Sequence, residues 1–290
     1  MNKPKIISLG EVLWDLFPAG PRFGGAPANF ACHAAHLGAA MTMVSAVGDD
    51  AHGREAIRIL NNFGIDTRMV TIHANMPTGT VGIELDGRGK PTFTIHEESA
   101  WDAIAWTPEL EECIAEAGAI YFGTLGQRGE VSGATIRRAL GLAEERGLVR
   151  VLDVNLRKPF YNAALIRDSV ALATVLKLSD DELPEVAAAC DIAAGATAAD
   201  TLRTLRERFG LDLVVLTRGA AGALLVSADG IVDQPGIPTT VIDTVGAGDS
   251  FTGAFVLGML RGDARADILR KACETAAYVC SQSGAVPQLS

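Results

Sequence analysis

Short apolar and β-branched runs, each followed by a helical pattern that stops at glycine, recur along most of this chain and leave few folds open. Residues 5–9 read as a buried strand ending at Gly10, and 27–37 as a helix with Pro27 in its first turn and Gly38 just beyond its end. Residues 41–47 and 52–63 repeat the pair, closed by Gly64. The rhythm returns at 119–122 with 131–145, at 149–154 with 163–173, and at 175–178 before an acidic helix start at Asp180; residues 213–217 form a further buried strand. Strands that are apolar on both faces, joined by helical crossovers, predict a mostly parallel sheet covered on both sides by helices. The expected fold class is therefore α/β, with three layers in the order α/β/α.

Two stretches break the rhythm. Residues 11–23 set Trp14, Leu16 and Phe17 among polar residues before Pro18, Gly20 and Pro21, and 78–95 reads as a hairpin of strands 80–85 and 92–95 about a Gly87-Arg88-Gly89 turn. Half-polar strands between β/α units predict a small sheet projecting from the main body. Such a sheet serves as a lid over a pocket, or packs as an edge hairpin on the core; periodicity does not choose. The expected division is an α/β core of 1–10, 24–77 and 96–290, with a small β lid of 11–23 and 78–95. No linker, repeat or low-complexity segment interrupts it.

Composition narrows the function. Hydrophobic residues at 48% and charged residues at 21% suit a domain with a sizeable core. A net charge of -10 argues against nucleic acid, which needs clustered Lys and Arg. The five cysteines, Cys32, Cys113, Cys190, Cys273 and Cys280, are scattered and read as reduced thiols of a cytosolic protein. No apolar run approaches the roughly 20 residues of a membrane span. The expectation is a soluble cytoplasmic protein without membrane or nucleic-acid partners.

Two glycine-rich motifs carry the chemistry. In Asp243-Thr244-Val245-Gly246-Ala247-Gly248-Asp249-Ser250-Phe251, an expected strand at 239–242 gives way to a Gly-Ala-Gly turn and then an apolar helix. Small residues let the first backbone amides of that helix converge on an anion, helped by the helix dipole. Asp249 in the first turn would compete with a phosphate unless it points aside to take a proton from an attacking hydroxyl; the alternative is a helix cap. Phe251 stands where the third glycine of GxGxxG belongs, and no GxxxxGK[ST] loop is present, so a nucleotide is held in some other way. The second motif, Gly24-Gly25-Ala26-Pro27-Ala28-Asn29-Phe30-Ala31, opens the first helix. Its glycines allow close approach to a polar ligand, and Asn29 offers donor and acceptor together, as hydroxyl-rich ligands require. A plain turn and cap reads as well. His33 and His36, Trp101 and Trp106, and the run Asp180-Asp181-Glu182 read as core, surface, packing and helix-start residues.

In this order, about 220 residues apart, the motifs resemble the ribokinase-like (PfkB) family of sugar kinases, through Gly24, Gly25, Asn29, Ala31, Gly38 and Gly48, and through residues 243–256. Ala100-Trp101-Asp102, Phe122-Gly123-Thr124-Leu125, Asp153-Val154-Asn155-Leu156-Arg157 and Leu176-Lys177-Leu178-Ser179 are most similar to bacterial fructokinases. The resemblance implies a ribokinase-like three-layer fold and transfer of the γ-phosphoryl group of ATP to a primary hydroxyl of a small sugar, D-fructose giving fructose 6-phosphate. Ribose, 2-keto-3-deoxygluconate, tagatose phosphate or a nucleoside are the alternatives. It implies Asp249 as base and the amides of Gly246, Ala247 and Gly248 as the anion hole. Asp15, Gly24, Gly25, Asn29 and Arg157 go to the sugar (a surface ion pair is the other reading of Arg157), and Lys177, Thr217, Gly219, Gly222 and Gly248 to the nucleotide. Glu182 is implied in organising water around Mg²⁺, with Ser179 where the family has asparagine; Asp243, Val245, Ser281 and Gly284 are implied around K⁺. A homodimer through the lid is implied too. Outside this class stand a non-catalytic sugar or nucleotide sensor, whose mark would be a broken second motif, and a nicotinamide-dependent enzyme, disfavoured by the failed fingerprint.

Overall fold

The computed structural model describes residues 3–85, 91–193 and 195–287. In chain order the elements are β1 (Lys5–Leu9), β2 (Leu13–Phe17), β3 (Gly20–Gly24), α1 (Ala26–His36), β4 (Ala40–Gly48), α2 (Ala51–Asn62), β5 (Val70–His73), β6 (Gly79–Leu85) and β7 (Pro91–Ile95). There follow α3 (Pro108–Glu116), β8 (Ala119–Gly123), α4 (Glu130–Glu145), β9 (Val149–Asp153), α5 (Ala163–Leu172), β10 (Val175–Ser179), α6 (Leu183–Ala189) and α7 (Ala198–Phe209). The chain closes with β11 (Leu213–Thr217), β12 (Ala223–Ser227), β13 (Gly230–Gln234), α8 (Ala247–Arg261) and α9 (Arg265–Cys280).

The main sheet runs β13-β12-β11-β10-β9-β8-β1-β4-β5, parallel except where β12 pairs antiparallel with β11 and β13. Because side chains alternate across a strand, apolar strands feed two cores. Ile7 and Leu9 join the helices α3 to α7 on one face, while Ile6 joins α1, α2, α8 and α9 on the other. This is the three-layer arrangement, and its order matters for function. The chain leaves β1 toward β4, then returns to lay β8 on β1's other side, so a crevice opens beyond the carboxyl ends of β1 and β8, where α/β sheets bind ligands.

The small sheet runs β3-β2-β6-β7. It is mixed: β2 pairs antiparallel with β3 but parallel with β6, and β6 antiparallel with β7. The turn expected at Gly87-Arg88-Gly89 lies outside the described residues. Residues 239–242 correct an expectation: they form no strand. Val241 and Ile242 are 60% and 66% exposed, and Ile242 N–H donates to the carbonyl of Cys280 at 2.8 Å. A β-branched run becomes a strand only beside a free edge, and this segment is tied instead to the end of α9. The acidic run is corrected as well, since Asp180 and Asp181 lie in a turn and α6 begins only at Leu183. Among the described residues no helix is long and apolar enough to cross a membrane, and all five cysteines are free.

Candidate active site

A cavity of about 510 Å³ fills the crevice. Leu13, Asp15 and Phe17 of β2, with Val81, Phe93 and Ile95 of β6 and β7, make one wall. Glu11, Leu125, Asn155, Arg157 and Lys177, from the carboxyl ends of β1, β8, β9 and β10, make the floor, and the turn from Thr244 to Asp249 closes the side. A larger cleft of about 640 Å³ lies at the opposite end of the sheet, around Lys5, Asp66, Arg68 and Glu116. Both its cations are paired, Lys5 with Glu116 and Arg68 with Asp66, which leaves little there to engage an anion.

The turn before α8 is built by clashes that only glycine avoids. Gly246 sits at φ 79°, and a Cβ there would fall 2.2 Å from the carbonyl oxygen of Ala285. Gly246 caps α8 without a side-chain hydrogen bond; Ala247 N–H turns back to the Thr244 carbonyl at 3.3 Å, while Gly246 and Gly248 line the cavity at the positive end of the helix dipole. His33, 1% exposed, secures the same corner, with Nε2 2.9 Å from the Ala285 carbonyl. Asp249 is not the cap. Its Oδ2 accepts a 2.8 Å hydrogen bond from Asn29 Nδ2 in α1, and the carboxyl lines the cavity. Burial pushes Asp249 above the usual aspartate range, against the pull of Asn29, Lys177, His33 and Arg157. Asn29 Oδ1 is buried and has no partner among the described residues, so it stands ready to accept from a donor.

At the start of α1, Gly25 lines the cavity, and both paired glycines are also required by close protein neighbours. A Cβ on Gly25, at φ 103°, would lie 2.6 Å from the Glu11 carbonyl oxygen, and one on Gly24 3.0 Å from Asp15 Oδ2. They seat the chain where the small sheet joins the core. Asp15 is raised to about 6 by burial and by Asp249, while Arg157 and Arg22 oppose the rise. Arg157 itself is exposed, its side chain donating to the carbonyl of Leu156 at 3.0 Å, and it reaches the cavity edge; among the described residues no ion pair links it.

Reading the sequence missed Asp153 as a site residue. It and Lys177 are register partners on β9 and β10, each the ionisable residue of an otherwise apolar strand end. Lys177 Nζ lies 3.0 Å from both Asp153 oxygens, with exposures of 7% and 1%, and Thr252 Oγ1 stands 3.1 Å from Asp153 Oδ2. Burial works against the ammonium, but Asp153 overcomes it and holds the Lys177 pKa above its ordinary value. A Cβ on Gly248 would be 3.3 Å from that Nζ, so a fixed positive charge backs the α8 turn. Opposite charges on adjacent apolar strands were the available signal.

The remaining expected residues scatter. Thr217, Gly219 and Gly222 lie at and beyond the end of β11, beside β10 but outside the cavity lining. Gly222, at φ 93°, makes room for the carbonyl of Gln234. Glu182 is occupied by protein: Oε1 accepts from Leu156 N–H at 2.8 Å, and Oε2 from the N–H and hydroxyl of Ser179 at 2.8 and 2.9 Å. Ser179 thus has a partner of its own. Asp243, Val245 and Gly284 are drawn together, because Asp243 accepts 3.1 Å bonds from the N–H groups of Val245 and Gly284. Ser281 follows α9 nearby, bonded to the carbonyl of Tyr278. Arg22 of β3 reaches Asp243 Oδ2 at 3.3 Å, bridging the small sheet to the core. Trp101 is fully buried beneath Arg128, which pairs with Asp102.

A helix start with open amides, beside a carboxylate able to accept a proton, is what moving a phosphoryl group onto an alcohol requires; set on a ribokinase-like α/β sheet, it defines the class of small-molecule kinases. The chain belongs to the pfkB family of carbohydrate kinases, whose profile matches residues 19–290. It is 31% identical over 268 residues to a fructokinase of Klebsiella pneumoniae, covering 89% of this chain and 84% of that one. An aminoimidazole riboside kinase of Salmonella typhimurium is 28% identical over 273 residues, covering 91% and 82%. Among solved structures, a fructokinase from Vibrio cholerae O395 in its fructose, ADP and calcium ion bound form superposes with a TM-score of 0.83 at 25% identity, covering 98% of this chain and 94% of that one.

Proposed function

We propose that the protein is an ATP-dependent fructokinase, transferring the γ-phosphoryl group of ATP to the 6-hydroxyl of D-fructose. The observation that carries the reading is Asp249 in the first turn of α8, held by Asn29 in the cavity wall beside the glycine-led helix start of Gly246, Ala247 and Gly248. In the transfer, the acceptor oxygen forms its bond to the γ-phosphorus as the bridging P–O bond to ADP breaks, and the hydroxyl proton passes to the Asp249 carboxylate. The α8 amides and the Lys177 ammonium stabilise the charge on the moving group, as preorganised donors do. Asp15, Asn29 and Arg157 hold the sugar, with Gly24 and Gly25 seating Asp15 and the wall behind it. Thr217, Gly219 and Gly222 extend the nucleotide site past β11. The β2–β3 and β6–β7 strands act as a lid, and two lids pair in a homodimer.

Mg²⁺ fits as a passenger on the nucleotide. Among the described residues no cluster of three metal-ligating side chains exists, and Glu182 already spends its oxygens on protein donors. Such a site suits a cation that keeps its waters and neutralises phosphate charge. The carbonyls near Asp243, Val245, Ser281 and Gly284 are where K⁺ would bind. The relatives support fructose; the aminoimidazole riboside kinase among them favours a nucleoside as the second reading. ADP release measured over D-fructose, D-ribose, 2-keto-3-deoxygluconate and aminoimidazole riboside tests both. Fructose should give the highest kcat/KM. Faster turnover of another acceptor would replace fructose, and turnover indifferent to every sugar would remove the kinase reading.

A further inference from the structure

Glu11 takes no part in the transfer just described, yet it is built into the same floor. It follows β1 at the junction with β2, lines the cavity with Asp249 and Arg157, and is 3% exposed. The backbone N–H groups of Glu11 itself and of Ala26, at the start of α1, favour its ionised form, while Oε2 is buried and has no partner among the described residues. A buried carboxyl oxygen without a partner costs the fold unless something supplies one, and in a cavity wall that something is a ligand. Burial pushes Glu11 to about 7 and Asp249 adds to the rise, against the pull of its backbone donors and of Arg157; Tyr121 of β8 is the other titratable group in its field. Near neutrality the protonated and ionised forms are therefore both populated, and the protonated acid both donates and accepts. A sugar hydroxyl asks for both.

We propose that Glu11 is a specificity-determining residue of the acceptor site, its Oε2 binding a non-reacting hydroxyl of the sugar from the floor while Asp15 faces that sugar from the small sheet. The inference rests on the sugar-kinase reading above. Sites built to bind a hydroxyl reject analogues that lack it, which gives the test its form. Wild type, E11Q and E11A are assayed for kcat and KM with the preferred sugar and with analogues each missing one non-reacting hydroxyl. E11A should raise the sugar KM by about ten- to a hundredfold with the KM for ATP unchanged. One deoxy analogue, poor with wild type, should lose little further in E11A, because the partner is already gone. E11Q, which keeps a donor and an acceptor, should fall between; if E11A does not fold, the same coupling is read in E11Q. Equal losses across all analogues, an unmoved sugar KM, or a joint rise for sugar and ATP with a lower melting temperature would overturn the role of Glu11 alone. A wild-type enzyme inactive with every sugar would overturn the kinase reading along with it.

Discussion

Two helices begin at this cavity, and they begin alike. Both α1 and α8 start from a glycine at positive φ, Gly25 and Gly246, and neither has a side-chain cap. Each thereby turns its glycine-led start and the positive end of its dipole toward the same space. The difference lies in what the protein has already put there. At α1 the glycines fit against Glu11 and Asp15, and the Ala26 amide favours the ionised Glu11 carboxyl. At α8 no side chain answers, and Lys177 adds charge behind the turn. One device thus serves two ends: at α1 it seats acids that can meet a neutral polyol, and at α8 it stays open for an anion. The local sequence of a glycine-led helix start does not tell these apart; the neighbours supplied by the sheet do.

Breaking the α8 side at its base should have the largest effect. Asp249→Asn is expected to lower kcat by about 10²–10⁴-fold, with sugar KM and melting temperature close to wild type in steady-state and thermal-melt measurements. Because burial raises the Asp249 pKa and the base works ionised, kcat should fall as pH drops through a value above the usual aspartate range. An acid limb at the ordinary aspartate pKa would place the ionisation elsewhere.

Removing the charge behind the turn comes next. Lys177→Met should cost about 10² in kcat, the scale of one preorganised donor, and about 3–5 kcal/mol of stability by leaving Asp153 unpaired. The double variant Lys177→Met with Asp153→Leu should recover stability in denaturant titrations but not activity. Recovery of both would reduce the pair to packing.

Gly246→Ala and Gly25→Ala compare the two starts directly. Each forces a Cβ against a backbone carbonyl at a positive φ, so each should lose about 1–3 kcal/mol. In addition, Gly246→Ala should lower kcat, while Gly25→Ala should raise the sugar KM. Matching kinetic defects would erase the distinction between the helices. The smallest change is expected at the bridge between small sheet and core: Arg22→Ala removes a half-exposed ion pair with Asp243 worth at most about 1 kcal/mol. Its melting temperature should barely move.

Much of the frame was legible along the chain, because apolar strand, helix and stopping glycine repeat with little interference. Residues 239–242 misled, since β-branched composition cannot report whether a sheet edge is within reach. The motif glycines were legible as special, but the protein contacts that demand Gly24 and Gly25 were not, because the carboxylate and carbonyl they clear come from Asp15 and Glu11, 9 and 14 positions earlier, folded back by β2 and β3. Asp153, and its pairing with the expected Lys177, stayed hidden for a related reason. Each alone is a charged residue in an apolar strand, and only the β9–β10 register makes them a pair. Glu182 shows the converse, where an acid that matched a motif proves to be engaged by Leu156 and Ser179.

The structure of a ternary complex with a non-hydrolysable ATP analogue and the preferred sugar tests the division of labour between α1 and α8 most directly. The γ-phosphate should rest on the amides of Gly246, Ala247 and Gly248, with the acceptor hydroxyl about 3 Å from Asp249 and the rest of the sugar toward α1 and β2. A γ-phosphate bound at the start of α1, or an acceptor hydroxyl beyond reach of Asp249, would contradict it.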